Sequence, residues 1–232
     1  GFGRMVMRFT EDDRARVAGA IASAERGTSG EIFCVVARGV SSYVDVSLAW
    51  AAGAALLAPT ALIPLGFNLS WPLGDGWEAA HVSAQAAGVG QALAFYALVQ
   101  AVIFVGVFLL TRISPVLRWV TPRGLRRARV RKAALQQFLA HGVHVTRERT
   151  GVLIFAALKE HQVELIADEL IHQKVNEGVW ADAVAALTRE LKAGRPVAGF
   201  EAAIDQCGRV LAAHFPPRAD NPNELPDHLI LL

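Results

Sequence analysis

Two acidic residues in the C-terminal half are the side chains best suited to chemistry in this sequence. Asp168 follows an apolar run that ends at Ala167, so it lies where a predicted strand passes into a helix, and Asp182 lies on a later predicted helix. Glu169 and Glu177 are close to them in sequence. Carboxylate oxygens are the ligands that Ca²⁺ and Mg²⁺ prefer. Asp168 and Asp182 are therefore candidate ligands of a hard cation, whereas helix capping by Asp168 is the alternative role.

Other motifs narrow the chemistry further. His141 and His144 are three residues apart, but Gly142 between them favours a helix end, so ordinary surface histidines are the better interpretation. The sequence contains no nucleotide-binding glycine loop and no HExxH, GxSxG or CxxC pattern. The sharply defined enzyme classes that these motifs mark therefore find no support. Ca²⁺ or Mg²⁺ is the only cofactor that the sequence suggests.

A run of basic residues without any acid forms the strongest charge feature. It comprises Arg112, Arg118, Arg123, Arg126, Arg127, Arg129, Arg131 and Lys132. Beside a membrane such a cluster binds anionic lipid headgroups or fixes the orientation of the chain, and both roles stay open. The candidate headgroup ligands are Arg118, Arg123, Arg126, Arg127 and Arg129. No aromatic side chains alternate with the arginines, so nucleic acid is not an expected partner.

Two apolar segments precede this cluster. Val46–Phe67 and Val89–Thr111 contain no charged residue, and a helix of about 20 apolar residues matches the thickness of a bilayer core. The sequence therefore predicts a transmembrane hairpin, with the loop from Trp71 to Glu78 outside. The basic cluster then places both termini in the cytoplasm, with the hairpin in a bacterial inner membrane.

The remaining segments have the composition of a globular domain. A Thr-x-x-Asp capping box at Thr10 opens a helix to Arg26, and Glu31–Ala37 is an apolar run typical of a buried strand. Thr150–Leu158 and Gln162–Ala167 predict a hairpin of two strands. Further helices are predicted over Gly124–Ala140, Asp168–Val175, Trp180–Ala193 and Val197–Phe215. Because no single one of these strand segments forms a stable covered sheet, we expect the strands before and after residues 46–111 to share one sheet.

Several short sequences carry a resemblance to a known family. They are Thr28-Ser29-Gly30-Glu31-Ile32, Thr150-Gly151-Val152-Leu153-Ile154-Phe155, and Leu191-Lys192-Ala193-Gly194 followed by Ala198-Gly199-Phe200. With the order of elements around them, they resemble the TPM domain family, and in particular short bacterial members described as membrane proteins. The resemblance implies an α/β (α+β) sandwich with a sheet covered by helices, here interrupted by the two-helix transmembrane hairpin.

The same resemblance also implies a function. Some members of the family are described as acid phosphatases or as binders of divalent cations. Asp168 and Asp182 are the residues of this sequence that would match the family's acidic site. The glycine-rich turn common after the second hairpin strand is replaced here by Leu165-Ile166-Ala167-Asp168-Glu169. We therefore expect a membrane-anchored interaction or accessory module. Its expected partners are the lipid bilayer and an unknown protein. A divalent-metal-dependent phosphatase is the alternative.

The predicted organisation has four parts. Residues 1–45 and 112–217 form the two parts of the TPM-like domain, residues 46–111 form the hairpin, and residues 218–232 form a polar, proline-rich tail of irregular structure. One feature separates the two functions: several acidic side chains converging in one polar pocket would favour the phosphatase.

Overall fold

The chain folds into two compact units. A computed structural model describes residues 9–62, 83–146, 149–218 and 225–232. One unit comprises Gly1–Ser41 and Arg123–Leu232, and the other comprises Ser42–Pro122. In chain order the elements are α1 (Glu11–Glu25), β1 (Glu31–Ala37), α2 (Val44–Leu62), α3 (Ser83–Thr111), α4 (Ser114–Val120), α5 (Arg123–Ala140), β2 (Gly151–Ala157), β3 (Gln162–Ala167), α6 (Glu169–Lys174), α7 (Ala181–Lys192), α8 (Pro196–His214) and β4 (Ile230–Leu231).

The first unit is built on a four-stranded sheet in the order β3-β2-β1-β4. β1 pairs in parallel with β2 along its whole length, from Glu31 opposite Gly151 to Ala37 opposite Ala157. β3 is antiparallel to β2, and β4 runs parallel to β1 at the other edge. The prediction that segments distant in sequence share one sheet is confirmed. The tail differs from its prediction, because it supplies β4.

Helices cover both faces of this sheet. Ile32, Cys34 and Val36 of β1 face a core that includes residues of α1, α7 and α8. The alternate residues Phe33 and Val35 face a second core that includes residues of α5. Successive side chains of a strand point to opposite faces, so a strand covered on both sides is apolar throughout. The predicted α/β sandwich is confirmed for this unit.

Close packing at α8 joins the helices on the first face. A Cβ atom added to Gly199 would lie 2.7 Å from Leu187 Cδ1 on α7, and one added to Gly208 would lie 2.8 Å from Ala24 Cβ on α1. Real Cβ atoms do not approach other atoms so closely. Glycine at these two positions therefore lets α8 pack against both neighbouring helices.

The second unit contains α2, α3 and α4. α2 packs against α3, and the indole Nε1 of Trp50 donates a hydrogen bond to the carbonyl oxygen of Val120 at 3.2 Å. Large apolar side chains on both long helices are exposed in this chain, among them Leu56, Leu57 and Leu98.

This unit corrects the prediction of a transmembrane hairpin. α2 (Val44–Leu62) carries Asp45 in its first turn, whereas a bilayer core requires about 20 consecutive apolar residues in one helix. Over the residues that the structure describes, none of the helices has the combined length and apolarity to cross a bilayer. The predicted hairpin is wrong, and so is the inner-membrane location with cytoplasmic termini that depended on it. The predicted external loop, residues 71–78, lies outside the described residues.

Candidate functional site

A cavity of about 300 Å³ lies at the carboxyl ends of the parallel strands. Its apolar lining comes from Phe9, Val36, Leu158, Leu231 and Leu232. Arg14 of α1 and Arg38, the residue that follows β1, complete the lining. Carboxyl ends of parallel strands are where open α/β sheets commonly bind ligands, because the polar residues that follow each strand meet there.

The polar groups of this cavity are cationic. Arg14 Nη1 lies 3.1 Å from Glu11 Oε1, while Arg14 Nε is buried and has no hydrogen-bond partner among the described residues. The backbone N–H of Arg38 donates to the carbonyl oxygen of Leu232 at 3.1 Å, which fixes the position of Arg38 beside β4. No Asp or Glu belongs to the described lining. The cavity therefore combines an apolar body with guanidinium groups, a combination suited to an anion attached to an apolar group.

Asp168 lies at the opposite end of the sheet and caps α6. Its backbone N–H donates to the carbonyl oxygen of Gly151 at 2.9 Å, and its Oδ1 accepts from the N–H of Glu169 at 2.7 Å. The predicted cap is confirmed. Asp168 is only 7% exposed, and its Oδ2 has no hydrogen-bond partner within the described part of the chain.

The structure does not gather the other predicted acids into a metal centre. Asp182 is exposed in the first turn of α7, and Glu169 pairs with Arg149 at 2.8 Å. Across residues 9–62, 83–146, 149–218 and 225–232, no group of three or more His, Cys, Asp or Glu side chains is placed to hold a metal ion. The role of Asp168 and Asp182 as metal ligands stays a prediction.

The predicted headgroup ligands divide between the two units. Arg118 is exposed on α4 of the second unit, whereas Arg123, Arg126, Arg127 and Arg129 belong to α5. Arg129 Nη1 donates to Ser41 Oγ at 2.7 Å, and Arg126 Nε is buried without a hydrogen-bond partner among the described residues. Their headgroup role stays a prediction.

Arg127 also flanks a buried carboxylate that the sequence did not indicate. Arg127 Nε and Arg131 Nη1 lie 3.8 Å and 3.7 Å from the oxygens of Glu164 on β3. Burial raises the pKa of Glu164, and the two guanidinium groups oppose that change. Part of the basic cluster therefore serves to compensate a buried charge inside the first unit.

The sequence also did not indicate a second group of carboxyl groups, those of Glu25, Glu31 and Asp227. Glu25 Oε1 accepts the N–H of Ile32 at 2.7 Å, and Glu31 Oε2 accepts the N–H of Leu225 at 3.4 Å. Asp227 forms a hydrogen bond with the Glu25 carboxyl. Burial raises the pKa of Glu25 to about 8, and the neighbouring Glu31 and Asp227 act in the same direction, while the Ile32 hydrogen bond opposes them. Only the fold brings Asp227 to Glu25, so no sequence spacing could have indicated this cluster.

Of the two cavity arginines, only Arg38 could have been identified from the sequence. Arg38 directly follows the buried run of β1 and therefore occupies the carboxyl end of a predicted parallel strand. Arg14 lies on the polar side of α1, where nothing in the local pattern distinguishes it from Arg16.

Part of the chain is similar to a known protein family. Residues 116–210 match the family model of the TPM domain. Residues 116–210 therefore carry a TPM domain. The match covers α5 to α7 and most of α8, and it leaves out β1 even though β1 lies between β2 and β4 in the sheet. The predicted resemblance to the TPM family is confirmed, while the membrane subgroup is not.

A solved structure shares the fold of this TPM-domain chain. It is the NMR structure of the BA42 protein from the psychrophilic bacterium Bizionia argentinensis, with a TM-score of 0.55 and 17% sequence identity over 98% of each chain. At this identity the likeness concerns the fold alone. No curated protein matches the sequence.

Substitutions of Asp168 distinguish a structural role in capping α6 from a role as a metal ligand. Asp168→Asn keeps a capping oxygen and should melt close to wild type, whereas Asp168→Ala should lose about 1 kcal/mol of stability. Thermal melts of the three proteins with and without Ca²⁺ or Mg²⁺ measure this. If Asp168 binds a cation, added cation raises the melting temperature of the wild type, and the Asn variant abolishes the rise because it lacks the charge.

Proposed function

We propose that this chain is a protein-interaction module whose TPM-bearing unit binds a carboxylate on an apolar segment of a partner protein. The observation that carries the proposal is the composition of the cavity, where Arg14 and Arg38 accompany apolar side chains and no acid belongs to the described lining. A carboxylate accepts charge-assisted hydrogen bonds from guanidinium groups, and the apolar lining accommodates the side chain beside it. The buried, unpartnered Nε of Arg14 supports this assignment, since a bound anion would satisfy it.

Two small probes with the same apolar body test the proposal. N-acetyl-leucine carries a carboxylate, whereas N-acetyl-leucinamide is neutral. We expect calorimetric titration to show that the carboxylate binds about 10- to 100-fold more tightly, because hydrogen bonds to charged groups contribute roughly 1.5–3 kcal/mol.

Substitution of the two arginines locates the binding. Arg14→Gln combined with Arg38→Gln should remove the preference for the carboxylate. Arg209→Gln is the matched control, because Arg209 is an exposed arginine of α8 that pairs with Asp205 and lies outside the cavity lining. Equal affinity for the two probes in the wild type, or an unchanged preference in the double variant, would refute the proposed site.

A divalent-metal-dependent phosphatase is the second candidate function. The unpartnered and buried Oδ2 of Asp168 favours it, because such an oxygen is suited to a hard cation. The phosphatase requires metal-dependent hydrolysis of p-nitrophenyl phosphate that Asp168→Asn abolishes. Hydrolysis with these two properties would displace the interaction module as the main function.

A further inference from the structure

One face of helix α3 is apolar and exposed to solvent. The sequence from Ser83 to Thr111 contains no Asp, Glu, Lys or Arg. Six large apolar side chains of this helix are between 53% and 64% exposed, namely Leu93, Leu98, Val102, Val105, Leu109 and Leu110. Continuous exposed apolar surface on this scale marks a binding surface for another molecule.

Helix α2 lies antiparallel to α3 and is exposed in the same way. Arg112, which follows α3, donates from Nη1 to the carbonyl oxygen of Ser42 at 3.3 Å, so the beginning of α2 lies beside the end of α3. In an antiparallel pair each helix covers only one side of the other, and two such pairs bury their remaining apolar sides by forming a four-helix bundle. The exposed large side chains of α2 are Leu48, Trp50, Leu56 and Leu57, between 43% and 69% exposed.

The exposed apolar area of the two helices is sufficient for a stable dimer. Full burial of a Leu or Val side chain removes about 60–120 Å² of apolar surface from water. At their exposed fractions, the ten side chains on α2 and α3 therefore offer roughly 350–700 Å². A dimer interface of about 800 Å² per partner that is about 65% apolar needs about 500 Å² of apolar surface from each partner. The area of this surface thus fits a second copy of the chain.

The exposed face of α3 is also complementary to itself. Residues four apart form rows along a helix surface, and the rows of one helix pack into the grooves of another. Large residues on this face form ridges, while Ala97, Ala101 and Gly106 leave grooves beside them. In a two-fold contact the same patch meets itself, so a ridge of one copy can enter a groove of the other. The two exposed rows are Leu93, Ala97, Ala101, Val105 and Leu109, and Ala94, Leu98, Val102, Gly106 and Leu110.

We propose that the chain forms a two-fold dimer in which α2 and α3 of one copy pack against α2 and α3 of a second copy as a four-helix bundle. Because α3 carries no charged residue, its partner must present a matching face without charge, and a second α3 meets this requirement. The interface uses residues of the second unit alone, so the dimer does not rest on the Arg14 and Arg38 site of the first unit.

Gly106 marks a point of close approach in this dimer. A Cβ atom added to Gly106 would lie more than 4 Å from every atom outside its own stretch of the helix. Packing within the described part of the chain therefore does not require glycine here, although glycine in a helix interior is less stable than alanine. A helix of the second copy that approaches the backbone of α3 at this position accounts for the glycine.

Sedimentation equilibrium of the full chain in detergent-free buffer measures the dimer. We expect the wild type to have twice the mass of the 24.9 kDa chain. Leu98→Glu should weaken dimerisation about 100-fold, because each of the two copies loses a side chain whose burial contributes about tenfold to the association constant. Gly106→Leu should weaken it about tenfold, since the added side chain keeps the two helices apart. This second variant adds apolar surface, so non-specific apolar adhesion would become stronger rather than weaker.

Leu139→Glu is the matched control for these variants. Leu139 is 54% exposed on α5 of the first unit and Leu98 is 59% exposed, so both changes place a charge at a similarly exposed helical leucine. The control should dimerise like the wild type. A monomeric wild type, or two α3 variants that dimerise as tightly as the control, would overturn the dimer. Recovery of the wild type only as a monomer that floats with phosphatidylcholine vesicles would also overturn it, because lipid would then cover the apolar face.

Discussion

A chain consisting of residues 123–232 should show no cooperative unfolding transition. It contains β2, β3 and β4 but lacks β1, which pairs with β2 on one side and β4 on the other. Without β1, the cores on both faces lose apolar side chains such as Phe33 and Ile32, and β4 has no strand to pair with. One pair of strands and a third strand without a partner are insufficient for a stable sheet. Circular dichroism during urea titration measures the result.

The matching variant removes the second unit and retains β1. Residues 42–122 are replaced by about six Gly and Ser residues, which span roughly 20 Å. Ser41 lies near the beginning of α5, because its Oγ accepts from Arg129 Nη1 at 2.7 Å. We expect this variant to unfold cooperatively. A sigmoidal transition for residues 123–232 alone, or its absence in the linked variant, would contradict a core shared by residues 1–41 and 123–232.

The free energy of unfolding should fall as pH rises from about 4.5 to about 8, because of Glu25. Its ordinary pKa is 4.5, and in the folded chain burial raises it to about 8. Between these values the folded state holds a proton that the unfolded state has released, so raising the pH favours unfolding. The stabilisation is complete below pH 4.5 and is lost by about pH 8. One pKa unit corresponds to about 1.4 kcal/mol, which gives an upper limit of about 5 kcal/mol.

Comparison of two proteins isolates this effect from other titrating groups. Glu164 has a raised pKa and contributes in the same direction, so the wild-type curve alone does not assign the loss. Glu25→Gln keeps the shape of the side chain and cannot ionise. The difference in unfolding free energy between wild type and variant should therefore change with pH over this range and be constant above it. A constant difference from pH 4.5 to pH 9 would show that Glu25 is not protonated in the folded chain.

The sequence determined most of the local structure of the first unit. The capping box at Thr10 set the beginning of α1, and the structure contains both of its hydrogen bonds. β1 and β3 have the predicted bounds, and β2 is shorter than predicted by one residue at each end. Burial on both faces of the sheet makes each central strand apolar throughout, and this signal lies within a few consecutive residues.

Hydropathy was a poorer guide in the second unit. An apolar window predicted a membrane span over Val46–Phe67, but α2 begins at Val44 and includes Asp45 in its first turn. Mean hydropathy over a window carries no information on where a helix begins, and buried and membrane-spanning helices share an apolar composition.

Only the tertiary structure decided which distant groups meet. It brings Asp227 to Glu25 and Leu225 to Glu31, and it converts a proline-rich tail into the edge strand β4 beside β1. It also places Arg14 of a helix and Arg38 of a strand end around one cavity. Propensity and periodicity describe interactions within a few residues of each other, whereas the pKa of Glu25 and the charge of the cavity depend on groups that approach only when the sheet and its covering helices assemble.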